Sequence, residues 1–191
     1  MPPAVVRVAE IVDLEGNRHV REARAGSHDA FELVVEGVIG WAYRLAAAIL
    51  GSEHAAADAT QNALVAAWRE LPQLRDADRF DPWFRRILVN ECRMQLRRDG
   101  RSREVPMPDD PEGLGRLVGG SRSLAQVEAA DLLERAFERL DPDDRVLIVL
   151  HHLDDRPLNV IAEAVHMPLG TVKWRLHEAR RALLQALEAM A

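Results

Sequence analysis

The chain has 191 residues, 48% of them hydrophobic, a net charge of −6 and one cysteine. That length holds one ordinary domain or two small ones. The single Cys92 excludes an internal disulfide framework, and the acidic total excludes a nonspecific polyanion coat. No run of about 18 apolar residues is present, so no membrane insertion is expected. The opening MPPAVVRVAEIVDLEG carries acids where a leader needs an apolar core, so the expected compartment is the cytoplasm.

Along the chain the apolar pattern is helical, and no run alternates as a strand would. Residues 1–28 lack a sustained period and read as a loose arm; Val5–Val12 fits a short helix or a strand equally well. A helix is expected over 29–50, where Phe31, Val34, Val38, Ala42, Leu45 and Ile49 recur at steps of three and four. Gly51 tolerates the left-handed backbone that ends a helix, and Ser52 can cap the next one, over 53–71. That second helix lays down the stripe Ala56, Ala59, Ala63, Ala67 and Leu71, with Leu64 and Trp68 alongside. Pro72 stops it, and a loop follows over 73–79. Asp81-Pro82 then reads as an N-cap and first helical residue, opening a helix that runs to Asp99 and ends at Gly100.

Charge is unevenly placed. Between positions 85 and 103 seven arginines face only Glu91 and Asp99, so this segment is +5 within an acidic chain. It reads either as a confined anion contact or as a solvated helix face.

Residues 104–122 change character: four acids, several prolines and four glycines leave little apolar surface to bury. Such a linker, fully extended, reaches roughly 60–70 Å, enough to hold two modules well apart. Order resumes at Ser123-Leu124-Ala125-Gln126, a capping-box pattern opening a helix to about 140. Asp141-Pro142 repeats the cap-and-proline device and starts a helix to Leu153; a short helix follows over 157–165. Pro168 opens the last helix, whose stripe is Val172, Leu176, Ala179, Leu183 and Leu187. The fold class is therefore all-α. An arm (1–28) precedes a three-helix domain (29–103), then come the flexible linker (104–122) and a four-helix domain (123–191), each domain separately cored.

The last two helices, joined by a tight turn, form a candidate helix-turn-helix, with Ile161, Ala162 and Val165 packing on Val172 and Leu176. In that motif the second helix enters the major groove. With Val172 and Leu176 inward, a step of about 100° per residue turns Thr171, Trp174, His177, Glu178 and Arg181 outward, flanked by Lys173, Arg175 and Arg180. Lys and Arg contact phosphate or guanine; Thr171 suits phosphate or a thymine methyl. The bland reading is a plain helical hairpin. Trp174 is a base or sugar contact, a protein anchor or an ordinary exposed residue.

These residues resemble the extracytoplasmic-function group of the sigma-70 family. Leu158-x-x-Ile161-Ala162 followed by Pro168-Leu169-Gly170-Thr171-Val172-Lys173-x-Arg175-Leu176-His177-x-Ala179-Arg180 is similar to region four, which reads the promoter −35 element. Tyr43-Arg44-Leu45-Ala46, Leu50-Gly51, Asp58-x-x-Gln61, Trp68-Arg69, Phe80-x-x-Trp83-Phe84-x-x-Ile87 and Asn90 are similar to region two. The resemblance implies a factor that binds core RNA polymerase and opens promoters, with no catalysis and no cofactor. Region two would bind the clamp of the largest subunit and capture flipped −10 bases; region four would sit on the flap of the second-largest subunit.

Residue by residue, the clamp contacts would be Asp58, Gln61, Asn62, Val65 and Arg69, on the side of their helix opposite the alanine stripe. The single-stranded −10 contacts would be Arg75, Asp76, Arg79 and Phe80 around the loop, with Arg85, Arg86, Asn90, Arg93 and Arg97 along the following helix. Trp83 reads either as a strand contact or as core. The duplex −35 contacts would be Thr171, Lys173, Trp174, Arg175, His177, Glu178, Arg180 and Arg181. Asn62, Trp174 and Glu178 depart from the family's habit, as does the replacement around His151-His152. The acidic bulk and outward Trp174 motivate one further partner, an anti-sigma factor. Two other readings stay open: a helix-turn-helix regulator acting without polymerase, which predicts a dimer and a palindromic site, and a sigma-like adaptor whose second half binds only protein. Zinc spacing, a phosphate-cradling glycine loop and a nucleophile elbow are absent from the sequence, and adjacent His151 and His152 diverge on a helix, so neither metal nor enzyme chemistry is expected.

Overall fold

The computed structural model describes residues 14–102 and 124–190, and the side chains of 17–98 and 129–190. Val5–Val12, the linker 104–122 and Ser123 of the expected capping box lie outside the described residues. Every regular element among the described residues is helical: α1 (Leu14–Arg24), α2 (His28–Leu50), α3 (Glu53–Glu70), α4 (Phe80–Ser102), α5 (Leu124–Glu138), α6 (Pro142–His152), α7 (Leu158–Val165) and α8 (Leu169–Glu188). Two short 3-10 turns, Leu71–Gln73 and Ala77–Arg79, lie between α3 and α4.

The punctuation works as the residue types dictate. Ser27 caps α2 by accepting from the Ala30 N–H, and Gly51 ends it with φ of 69° and its N–H on the Ala47 carbonyl. Ser52 accepts from the Ala55 N–H to start α3. Asp141 caps α6 by accepting from the Asp143 N–H, with Pro142 next in line. Each such cap is worth about 0.5–2 kcal/mol against alanine.

The α2 helix is the axis of the protein. Its length and mean hydropathy of 1.6 match a bilayer span, yet 56% of that stretch is buried inside the protein. It packs against α1, α3, α4 and α6. Ala42, Ala46 and Ile49 of α2 are sealed completely, as are Ala56 and Ala63 of the α3 alanine stripe. Alanine on both sides lets two helix backbones approach closely, and α2 and α3 make the most extensive helix pairing among the described residues.

Three expectations need correction. Residues 14–24 are not part of a loose arm: they form α1, which buries Val20 and Ala23 against α2. The third helix starts at Phe80 rather than at an Asp81 cap, because the second 3-10 turn already delivers the chain in helical geometry. Pro82 then sits in the first turn, where a missing N–H leaves no bond unmade.

The third correction is larger. Both helical domains are present as expected, but they pack together rather than standing apart. α4 packs on α6 and α7, and α2 packs on α6, so the buried apolar residues form one cluster from Val20 to Ala179. Two thin helical halves each bury little surface alone, and joining them removes more apolar area from water.

Candidate functional site

The second half ends in the expected pair of helices. After α7, His166 takes a left-handed backbone (φ 54°, ψ 45°) and its N–H returns to the Ala162 and Glu163 carbonyls. That turn lets Ile161 and Val165 meet Val172 and Leu176 in the core, with Ala162 partly buried beside them. Thr171, Lys173, Trp174, His177, Arg180 and Arg181 are exposed on α8. Trp174 stands 63% exposed. Glu178 is half-buried and paired with Arg181 at 2.6 Å, so its charge is answered on its own helix. Arg180 donates from Nε to His152 Nε2 at 3.0 Å. This contact, together with burial and His151, lowers the His152 pKa, burial being the largest cause.

Arg175 behaves differently from its neighbours. Its guanidinium reaches Asp141 (3.0 Å), Asp143 (3.1 Å) and Asp144 (2.8 Å) at the start of α6. Burial alone would lower its pKa, but the three carboxylates raise it further. Those three acids occupy every terminal nitrogen the side chain would offer a phosphate.

On the first half, Asp58, Gln61, Asn62, Val65 and Arg69 are all exposed and share one side of α3, at steps of three, one, three and four. Val65 is 43% exposed among these polar groups. The loop after α3 repeats every three residues: Leu71, Leu74, Ala77 and Phe80 are buried, as the 3-10 period requires. Arg75, Asp76 and Arg79 therefore point outward, around a cavity of about 460 Å³ that Trp83, Arg86 and Glu163 also line.

Two of the residues expected to meet single-stranded DNA are interior. Phe80 is 2% exposed and stacks on Phe84 with ring centroids 5.7 Å apart. Arg85 is 1% exposed, lies 4.6 Å over the Trp41 ring and bonds to Asp81 and to Asp154. Its position in the α4 arginine series masked this: a cation with a buried acid 69 residues away looks, in sequence, like any other surface arginine. Trp83, left open between strand contact and core, is half-buried and packs on the core cluster.

The other α4 cations line the boundary between the halves. Arg93 donates from Nε to Asp143 at 2.6 Å and from Nη1 to the Val165 carbonyl at 3.3 Å. Arg97 is 3.8 Å from the same Asp143, and Arg79 is 3.1 Å from Glu163 of α7. Arg86, Asn90, Arg93 and Arg97 line a groove of about 670 Å³ that His166 closes from the second half. Burial raises the Asp143 carboxyl, but the guanidiniums of Arg93 and Arg175 outweigh it and hold the pKa below the ordinary value. At Asp154 burial wins: its pKa is raised despite Arg85 and Arg156. Sequence reading missed all the partner acids, because Asp141 to Asp144 read only as a helix start.

Comparison with known proteins divides the chain at the same place as its charge pattern. Residues 26–102 match the model of Sigma-70 region 2, and residues 130–183 match that of Sigma-70, region 4. The chain is similar to the ECF RNA polymerase sigma factor SigW of Bacillus subtilis, 26% identical over 180 residues that cover 89% of this chain and 95% of the relative. It is also similar to the ECF RNA polymerase sigma-E factor of Escherichia coli, 30% identical over 134 residues, covering 66% and 70% of the two chains. Among solved structures, CnrH in complex with the cytosolic domain of CnrY superposes with a TM-score of 0.62 at 26% identity, covering 93% of this chain and 99% of that one. The sigma factor RpoE of Bartonella quintana, solved with the anti-sigma factor NepR, shares the fold with a TM-score of 0.63 at 23% identity, covering 83% of this chain and 96% of that one.

Proposed function

Because the chain belongs to the extracytoplasmic-function group of the sigma-70 family, and so binds core RNA polymerase and recognises −35 and −10 promoter elements to start transcription, we propose how its surfaces divide that work. The α8 face carrying Thr171, Lys173, Trp174 and His177 reads the −35 duplex. The α3 strip of Asp58, Gln61, Asn62, Val65 and Arg69 docks the polymerase clamp. The loop carrying Arg75, Asp76 and Arg79 takes an unstacked −10 base; its cavity of about 460 Å³ has room for one, and Arg86 offers the cation that single strands need. The chain carries no catalysis of its own and works in the cytoplasm, beside the polymerase and the chromosome.

The observation that carries this reading is the exposure pattern. Each of the three surfaces is turned to solvent, while the apolar positions between them are buried. Run-off transcription from promoters with randomised −35 and −10 elements, using bacterial core polymerase, tests it. The expected result is a transcript pool enriched at both elements; enrichment of a single palindrome, without polymerase, would favour the rival regulator.

The same geometry gives the free chain a closed form. Arg85, Arg93 and Arg79 of the first half are bonded to Asp154, Asp143 and Glu163 of the second, so closure withholds the α4 arginines while leaving the α8 face open. Polymerase, by binding the two halves at separate places, opens it. An inhibitor of the anti-sigma class would act by holding the halves together, with Trp174 as an exposed anchor. Energy transfer between dyes on α3 and α8 is expected to fall when core polymerase is added. An unchanged signal on a polymerase-bound factor would end this reading.

A further inference from the structure

The loop that presents Arg75, Asp76 and Arg79 is nine residues long, from Leu71 to Arg79. Its two 3-10 turns close on themselves, Leu74 N–H to Leu71 C=O at 3.0 Å and Arg79 N–H to Asp76 C=O at 3.1 Å. Between them, Leu74 turns extended (φ −67°, ψ 111°) and Asp76 stays extended (φ −127°, ψ 117°). This joint sets the angle between the turns, and therefore the direction in which Arg75 and Asp76 point.

A side chain from α1 holds it. Arg24 sits at the last turn of α1 and donates from one nitrogen, Nη1, to both the Leu74 carbonyl and the Arg75 carbonyl, each at 2.9 Å. The stem of this arm is fixed in turn: Val20 and Ala23 of the same helix are buried in the core, and α1 packs on both 3-10 turns. Arg21 adds a contact to Asp78 at 3.4 Å, but both side chains are more than half exposed, so it contributes little beside the charge-assisted pair from Arg24.

We propose that Arg24 is a positioning residue for −10 recognition, and that α1 is the brace that sets the conformation of the recognition loop. Arg24 touches no base. By gripping two successive carbonyls at the joint, it fixes the main chain that aims Arg75 and Asp76 into the cavity. Nη1 carries two N–H groups, one for each carbonyl, on a side chain that stays charged. Preorganising the loop removes the ordering cost that base capture would otherwise bear. This inference rests on the proposed role of the loop in taking a −10 base.

The experiment uses the full chain with bacterial core polymerase and promoters randomised at the −10 element, with the −35 element constant. Arg24→Ala is expected to lower open-complex formation on the preferred −10 sequence about tenfold, the loss of a charge-assisted hydrogen bond. It should also flatten the discrimination between −10 bases. Affinity for core polymerase and for the −35 duplex should stay as in the parent. Arg24→Lys, which keeps a cationic donor on a stem of similar length, should restore most of the discrimination. If Arg24→Ala melts well below the parent, Arg24→Gln, which keeps part of the stem and a donor, is measured in its place against the same promoters. A folded Arg24→Ala or Arg24→Gln with unchanged −10 discrimination overturns the proposal. The loop reading is judged separately: if Asp76→Ala and Arg79→Ala also leave discrimination unchanged, the loop is not the reader. If they abolish it while the Arg24 variants do not, only the brace fails.

Discussion

Arg93 and Asp143 meet across the boundary between the two halves, guanidinium Nε on carboxylate oxygen at 2.6 Å, and each is more than four-fifths buried. Because Asp143 also holds Arg175 at 3.1 Å, a single carboxylate ties an α4 cation to an α8 cation. Removing it touches both at once. Asp143→Asn should loosen the closed form, lowering stability by about 1–3 kcal/mol, the loss of charge-assisted bonds in a partly buried site. Urea unfolding and small-angle scattering check this; an unchanged radius of gyration with unchanged stability would mean that apolar packing alone holds the halves.

The pH dependence follows from the same carboxyl. Its folded pKa lies below the ordinary value. A depressed acid stabilises the fold fully above its unfolded pKa, about 3.9, and the contribution is lost as pH falls through the folded value. Melting temperature should therefore drop between pH 6 and the acid range, and drop less in Asp143→Asn. Equal drops in both proteins would assign the acid sensitivity elsewhere.

Asp154→Ala is expected to be the more damaging change to the boundary. It leaves the almost fully buried Arg85 with Asp81 and the Trp41 ring as its answering groups. Stripping a buried cation of a partner costs about 3–5 kcal/mol when nothing replaces it, and Asp81 should keep the loss at the lower end. Replacing Arg85 and Asp154 together by Met and Ala should recover part of it, as a denaturation series would show.

Lys173→Ala should weaken −35 binding by about 1–3 kcal/mol and relax preference at one base pair if the side chain reaches a base edge. Arg175→Ala should act through α6 instead, lowering stability by freeing Asp141, Asp143 and Asp144. Duplex titrations at fixed salt separate the two; equal loss of preference in both variants would place Arg175 on DNA as well.

Val65→Glu should abolish core polymerase binding while leaving the melting temperature within about 1 °C, since a surface change away from caps and cores is nearly neutral. Val65 is exposed in the closed form, so the substitution meets water rather than a neighbour. Retained co-purification with polymerase would move the docking strip off this face of α3.

Much of the fold was legible because its signals are local. Gly51 with Ser52, and Asp141 with Pro142, mark chain stops and starts through their own backbone chemistry. The outward face of α8 follows from counting residues around a helix. What escaped was non-local. α1 carries a polar sequence in which, among its described side chains, Val20 and Ala23 are the buried ones, too little for a periodic stripe. Arg24 grips main-chain carbonyls 50 and 51 residues away, and no side-chain pattern announces a carbonyl. Phe80 and Arg85 were read as strand contacts from their neighbourhood, whereas their burial depends on Phe84, Trp41 and Asp154 arriving from elsewhere.

The three aspartates on Arg175 offer the same kind of anion that a nucleic-acid backbone offers, oxygen charges matched to a guanidinium fork. The chain has thus already answered this cation from within, and Arg175 adds nothing to the hold on a promoter. A plot of affinity against ionic strength should accordingly be shallower than a count of the α8 cations implies.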